Sequence, residues 1–326
     1  MSYEHYRILS LDGGGIRGLI TAIWLNYLET ELQTKFPGKK LRDFFDLIAG
    51  TSTGSILGCA VASGMETKKI IDLYKVKAGT IFPRYAAKWL YDARLLRQVI
   101  AGNPIYDGKG LEKELKAAFG VNEKFSFPVK TMVVSYDTFN RQPLIFKSWR
   151  EDYHGLPIWE VCRASSAAPV YLPAHVLTVR EADIPLIDGG VVANNPTVCA
   201  ISEGIKLQAS EPPNERVTID NFVVASFGTG SSTSPITIKQ AVGWGPAKWM
   251  FNLIDVLFDA SLDAVDYAAS QLIAQDNYFR FQVNIEKQYA DLDNPDKDNI
   301  NGLAAVAEGY LNSTVKEQVA DLISKL

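Results

Sequence analysis

The sequence predicts a three-layer α/β fold, on three observations. Short apolar runs alternate with helical patterns, glycine clusters stand where one passes into the other, and no stretch of about 18 apolar residues calls for a membrane span. With 47% hydrophobic and 21% charged residues in 326 positions, the chain can bury a large core; disordered, collagenous and low-complexity classes are excluded. The length would hold two average domains. No composition break marks a boundary, however, and the loops Glu211–Asn214 and Asp291–Asn301 are short and polar. One domain, 1–326, is expected, with a helical insertion at about 67–119 and a C-terminal helical region at about 246–326.

The elements follow in order. Arg7–Leu11 is an apolar run that meets Asp12-Gly13-Gly14-Gly15, and Leu19, Ile23, Leu25, Leu28 and Leu32 then recur at helical spacing: strand, tight turn, helix. The arrangement repeats as Phe44–Ala49, Gly50-Thr51-Ser52-Thr53-Gly54 and the small apolar segment Ser55–Ala62. Further buried strands are expected at Lys130–Tyr136, Ile184–Ile187 and Phe222–Phe227, helices at Ile158–Ala168 and Asn195–Leu207, and one final amphipathic helix at Leu303–Leu326.

Charge and cysteines narrow the class. Thirty-three basic and 37 acidic residues give a net charge of −4, which supplies no overall footprint for nucleic acid or an anionic membrane. Cys59, Cys162 and Cys199 are too few and too scattered for a disulfide framework or a Cys-based zinc site, so a reducing compartment is expected, without metal or cofactor. Residues Met1–Arg7 lack the basic and apolar regions of a signal peptide, from which a cytoplasmic protein is expected.

Three constellations can carry chemistry. In Asp12-Gly13-Gly14-Gly15-Ile16-Arg17-Gly18 a strand delivers consecutive glycines to a helix start, where several backbone amides can converge on an anion, either a bound phosphate or an oxyanion made in a reaction. Gly13, Gly15 and Gly18 formally satisfy a dinucleotide fingerprint. The acidic residue that motif requires about 20 positions on has only Glu29 or Glu31 to offer, both within the helical pattern, and Leu19 stands where a phosphate-loop lysine would. Gly50-Thr51-Ser52-Thr53-Gly54 is a G-x-S-x-G between strand and helix, a sharp turn presenting the Ser52 hydroxyl. Asp188-Gly189-Gly190 ends the strand Ile184–Ile187, where a carboxylate faces the crevice at the strand ends or simply forms a turn. The three histidines, His5, His154 and His175, all precede Asp188, so the Ser–Asp–His order of α/β-hydrolases is unavailable and Asp188 is left as the base for Ser52.

These three blocks, with Ala167–Ala174, Asn194-Asn195-Pro196 and Ser226–Gly230, resemble the patatin-like phospholipases, and the resemblance spans about 7–282. It implies a central, mostly parallel sheet flanked by helices and a phospholipase A-type lipid acyl hydrolase acting on membrane phospholipid. It further implies Ser52 as nucleophile, Asp188 as base, Gly13, Gly14 and Gly15 as oxyanion hole, and Arg17 bracing that loop. Storage patatins of plants carry a signal sequence, so a bacterial cytoplasmic member acting at the inner membrane surface is expected. Some such members resemble antiphage effectors switched on by a cyclic nucleotide, which would add an activator and a homo-oligomer. The alternatives are a constitutive, non-specific acyl hydrolase and a nucleotide-binding oxidoreductase.

Weaker signals complete the reading. Asp255, Asp259, Asp263 and Asp266 recur at helical spacing and are read as a solvated acidic face. Trp244, Trp249 and Phe251, like Trp89 and Tyr91, suit either a core or a lipid interface. Lys75, Lys77, Arg84, Lys88, Arg94 and Arg97 in the insertion are either a solvated face or a phosphate-binding surface.

Overall fold

A computed structural model describes residues 5–83, 102–232, 235–313 and 315–326. At its centre is an eight-stranded sheet. β1 (Tyr6–Leu11), β2 (Leu47–Thr51) and β3 (Lys130–Asp137) run parallel, as do β7 (Phe222–Phe227) beside β1 and β8 (Tyr278–Phe281) beyond β7. Three antiparallel strands complete it: β4 (Gln142–Lys147) and β6 (Ala182–Asp188) against β3, and β5 (His175–Val179) against β6.

The parallel strands are apolar on both sides because helices cover both faces. Alternate residues of β1 go to opposite cores: Leu9 and Leu11 pack with Leu19, Leu57 and Leu303, whereas Tyr6 and Ile8 pack with Ala200 and Ile201. The first face carries α1 (Gly18–Lys35), α2 (Thr53–Ser63), α3 (Thr67–Ile81), α4 (Lys109–Phe119) and α5 (Ile158–Ser165). The second carries α6 (Thr197–Ala209) and the end of the long helix α8 (Pro246–Leu272), which follows the short α7 (Ile238–Gly243). The result is the expected three-layer arrangement.

Two expectations for the C-terminal region are corrected. It is not wholly helical, since β8 joins the central sheet beside β7. The final helix is two, α9 (Lys297–Leu311) and α10 (Val315–Lys325). Among the described residues no helix is long and apolar enough to cross a membrane.

Candidate active site

One edge of β3 brings the two chemical strand ends together. β4 occupies the other edge from Met132 to Asp137, so β2 and β6 share what remains. β2 runs along it until Thr51 stands opposite Val134, and β6 arrives from the opposite direction until Asp188 stands opposite Ser135. The strands meet end to end at consecutive residues of β3, about 3.3 Å apart along a strand. Ser52, the residue after β2, therefore faces Asp188: the Ser52 hydroxyl donates to Asp188 Oδ2 at 2.6 Å.

Ser52 holds φ 54°, ψ −124°, a backbone that L-residues seldom adopt, at the junction of β2 and α2. The turn closes because both flanking residues lack a side chain. A Cβ at Gly50 would lie 2.2 Å from the Gly54 carbonyl oxygen, and one at Gly54 would lie 2.1 Å from that of Leu11. Ser165, at the end of α5, fixes the elbow: its hydroxyl accepts from the Ser52 amide at 2.8 Å and donates to the Val134 carbonyl at 2.6 Å. Its own carbonyl accepts from the Gly189 amide.

Asp188 is buried, with Oδ1 accepting from the Gly190 amide at 2.7 Å. Burial pushes its carboxyl up to about 7, against the pull of the Ser52 hydroxyl and the Gly190 amide. That value suits a base working near neutral pH. Among the described residues no histidine lines this cleft: His154 is exposed, and His175, which burial lowers to about 4, packs edge-on against Trp159.

The glycine loop lies against the same serine; a Cβ at Gly13 would stand 3.2 Å from Ser52 Cβ. The loop is pinned at both ends. The Gly13 amide donates to the Asn194 carbonyl at 2.9 Å, Thr229 Oγ1 donates to the Gly13 carbonyl at 2.8 Å, and the Ile16 amide donates to the Leu292 carbonyl. This corrects the expected trio of oxyanion donors: the chain leaving β1 still pairs at Gly13, so that amide is engaged. The amides of Gly14 and Gly15 have no protein acceptor among the described residues, and Gly15 lines the cleft with Ser52. Arg17 is buried behind the loop, with its backbone amide on the Gly14 carbonyl at 3.1 Å and Nε at 3.4 Å from the same oxygen.

Sequence reasoning missed the support beneath the loop. Asp12, fully buried, accepts from Arg280 of β8 at 2.6 Å, and Arg280 also donates to Ser226 Oγ. Burial lifts Asp12 to about 6, against the attraction of the Arg280 guanidinium and its hydrogen bond. Asp266 lies 3.7 Å from Arg280 Nε and accepts from the Tyr278 hydroxyl at 2.6 Å. The reading of an acidic solvated face on α8 is thereby corrected: Asp266 is engaged inward and Asp259 is partly buried near Arg17, while Asp263 is exposed. The side chains of Asp255 and Phe251 lie outside the described residues.

The cleft leading to Ser52 and Asp188 is walled mainly by apolar groups, among them Ile56, Leu73, Ala78, Ile81, Leu172 and Phe258. Tyr74 and Thr53 are hydrogen-bonded to each other there, tying α3 to the start of α2. Of the basic residues in the insertion, Lys75 is exposed and Lys77 faces Glu114 at 3.9 Å; Arg84, Lys88, Arg94 and Arg97 lie outside the described residues, as do Trp89 and Tyr91.

The family model of patatin-like phospholipases matches residues 9–201. Patatin-like protein 2 of Arabidopsis thaliana is 32% identical, over 94% of this chain and 83% of its own length. Patatin-like protein 2 of Oryza sativa subsp. indica is 31% identical, over 94% and 84%. Among solved structures, VipD from Legionella pneumophila aligns over 94% of this chain and 67% of its own at 13% identity, with a TM-score of 0.44.

Proposed function

This chain belongs to the patatin-like phospholipase family, and from that premise we propose that it hydrolyses acyl esters of membrane phospholipid through a Ser52–Asp188 dyad. The observation that carries the proposal is the 2.6 Å hydrogen bond between the two side chains at the meeting point of β2 and β6, beside two unengaged loop amides.

Asp188 accepts the Ser52 proton as Oγ attacks the ester carbonyl, and the Gly14 and Gly15 amides receive the negative charge that develops on the carbonyl oxygen. Asp188 then returns its proton to the departing glycerol oxygen, which leaves an acyl group on Ser52. A water molecule, deprotonated by Asp188, attacks that acyl-enzyme, and the fatty acid departs as Ser52 regains its proton. The apolar wall of the cleft suits the acyl chain, whose burial favours binding by about 0.8 kcal/mol per methylene.

Fatty-acid release from phospholipid vesicles by the purified chain, together with covalent capture of Ser52 by a fluorophosphonate, tests the assignment. Both should vanish in Ser52→Ala, whose unfolding transition should stay cooperative. Capture at another residue with Ser52 unmodified would overturn it. Running the assay with cyclic di- and trinucleotides separates a nucleotide-switched enzyme from a constitutive one, because only the former gains activity with dose.

A further inference from the structure

We propose that Ser166 is a further catalytic residue of the hydrolase read above, on which this role rests. Its hydroxyl meets the oxygen on Asp188's side of the reacting carbon: the departing glycerol oxygen in the first step and the attacking water in the second. Ser166 caps α5, directly after Ser165; it is 8% exposed and lines the cleft with Ser52 and Asp188. Its backbone is fully engaged, the amide donating to the Cys162 carbonyl at 3.0 Å and the carbonyl accepting from the Ala168 amide at 2.9 Å. The side-chain hydroxyl is therefore what Ser166 has left to offer, and it is buried without a protein partner among the described residues. The Tyr74 and Thr53 hydroxyls in the same wall, by contrast, bond each other. A buried hydroxyl without a partner is unfavourable in an apolar cleft unless a molecule entering the cleft supplies one.

Two observations select the atom it meets. The first is that Ser166 is fixed to the base. The residues on either side of it pair with the end of β6: the Ala167 carbonyl accepts from the Asp188 amide at 3.0 Å, and the Ser165 carbonyl from the Gly189 amide at 3.2 Å. The second is the direction from which each group reaches Ser52. β6 comes head-on from beyond the end of β2, whereas the glycine loop comes from the side, out of the neighbouring β1. An ester brings two oxygens to the serine. The carbonyl oxygen belongs to the Gly14 and Gly15 amides; the other must reach Asp188 to take its proton, and there it meets Ser166. The Ser166 proton stays on Ser166. In the first step the hydroxyl donates a hydrogen bond to the departing oxygen while Asp188 supplies the proton. In the second it accepts one hydrogen of the water whose other hydrogen goes to Asp188, which leaves a lone pair of the water free to attack. One hydroxyl can do both because it carries a donor and acceptor lone pairs.

The experiment compares Ser166→Ala with the native full chain. Fluorophosphonate labelling of Ser52 should keep its native rate, because fluoride departs without taking a proton. Urea unfolding should show no loss of stability, because the change removes only a hydroxyl that has no partner. The kcat on soluble dihexanoylphosphatidylcholine should nevertheless fall about 10–100-fold, the range for a hydrogen bond to an oxygen that carries charge, with KM little changed. With p-nitrophenyl butyrate, whose p-nitrophenolate departs unaided, the first step stays fast and the second slows. Ser166→Ala should then release a burst of about one equivalent of p-nitrophenolate before a slow steady rate. Native kcat on the phospholipid in Ser166→Ala would overturn the role. So would a labelling rate that falls as far as kcat does, since the hydroxyl would then hold the dyad in place rather than meet the reacting oxygen. A native chain that neither takes the label nor releases fatty acid would overturn the hydrolase reading and this role with it; a native chain that does both, matched by Ser166→Ala, would overturn this role alone.

Discussion

Asp188 ties the chemistry of the site to its stability. Its carboxyl stands at about 7 because it is buried, and a base must be deprotonated, so hydrolysis of a soluble ester should rise with pH up to about 7 and level off above it. A flat profile across that interval would contradict the role. The folded-state value lies above the unfolded one of about 3.9, so the stability contributed by the neutral acid is complete below about pH 4 and lost as pH rises through about 7. Asp188→Asn cannot ionise; urea unfolding should find it more stable than the native chain at pH 8 by ~2–4 kcal/mol, with little gain at pH 4. Its hydrolysis should fall about 10²–10⁴-fold. Gly15→Ala tests the loop. At φ +56°, its Cβ would stand 2.3 Å from the Leu292 carbonyl oxygen, and displacing the amide should cost about 10²–10³ in kcat with little change in KM. A raised KM with kcat unchanged would indicate a binding role instead. The meeting of Ser52 and Asp188 was legible because the proposed hydroxyl nucleophile would need a glycine-flanked elbow and a base, and the chain offers few of either. Ser165 and Arg280 were not: a serine ending a helix and an arginine in a strand carry no local sign, and their partners lie 113 and 268 residues away.

Among the elements, β8 reaches furthest into the site without touching it. Its Arg280 neutralises Asp12, the residue from which the glycine loop departs, so the strand stiffens the loop from below. Arg280→Gln would leave a buried carboxylate without its counter-charge, a loss of about 3–5 kcal/mol by the usual scale for broken buried pairs. Activity measured well below the new unfolding midpoint should show kcat reduced more than KM, and Arg280→Lys should recover part of both stability and kcat. Unchanged kcat in a destabilised Arg280→Gln would confine the pair to folding. Strands buried on both faces were readable from their apolar runs, and Phe222–Phe227 has the expected bounds. β4 and β5 escaped because edge strands need not be apolar: the exposed residues Gln142 and Pro143 open one, and Val176 and Thr178 face solvent in the other. β8 is only four residues long, too short for alternation to register. The meeting of β2 and β6 on one edge of β3 lies beyond any local pattern, because it depends on strand pairings set by the whole sheet.

For the molecule as a whole, the family match at residues 9–201 holds all three chemical blocks but not a complete sheet. β1 pairs β2 on one side and β7 on the other, so a chain ending at residue 201 would expose the β1 edge that now carries six paired residues. It would also strand two buried groups: Asp12 would lose Arg280, and the Trp24 indole would lose its acceptor at Ala307. Both contacts are part of the packing that the missing C-terminal elements supply, and their loss comes with the uncovering of the residues around them. Against a typical domain stability of about 5–15 kcal/mol, these losses together with the uncovered apolar face of α1 leave no margin. The prediction is that residues 1–201 alone, although they contain Ser52 and Asp188, give no cooperative unfolding transition by circular dichroism and no fluorophosphonate labelling at Ser52. A cooperatively folded, labelled fragment would show that the catalytic half is autonomous and that β7, β8 and the C-terminal helices serve another purpose.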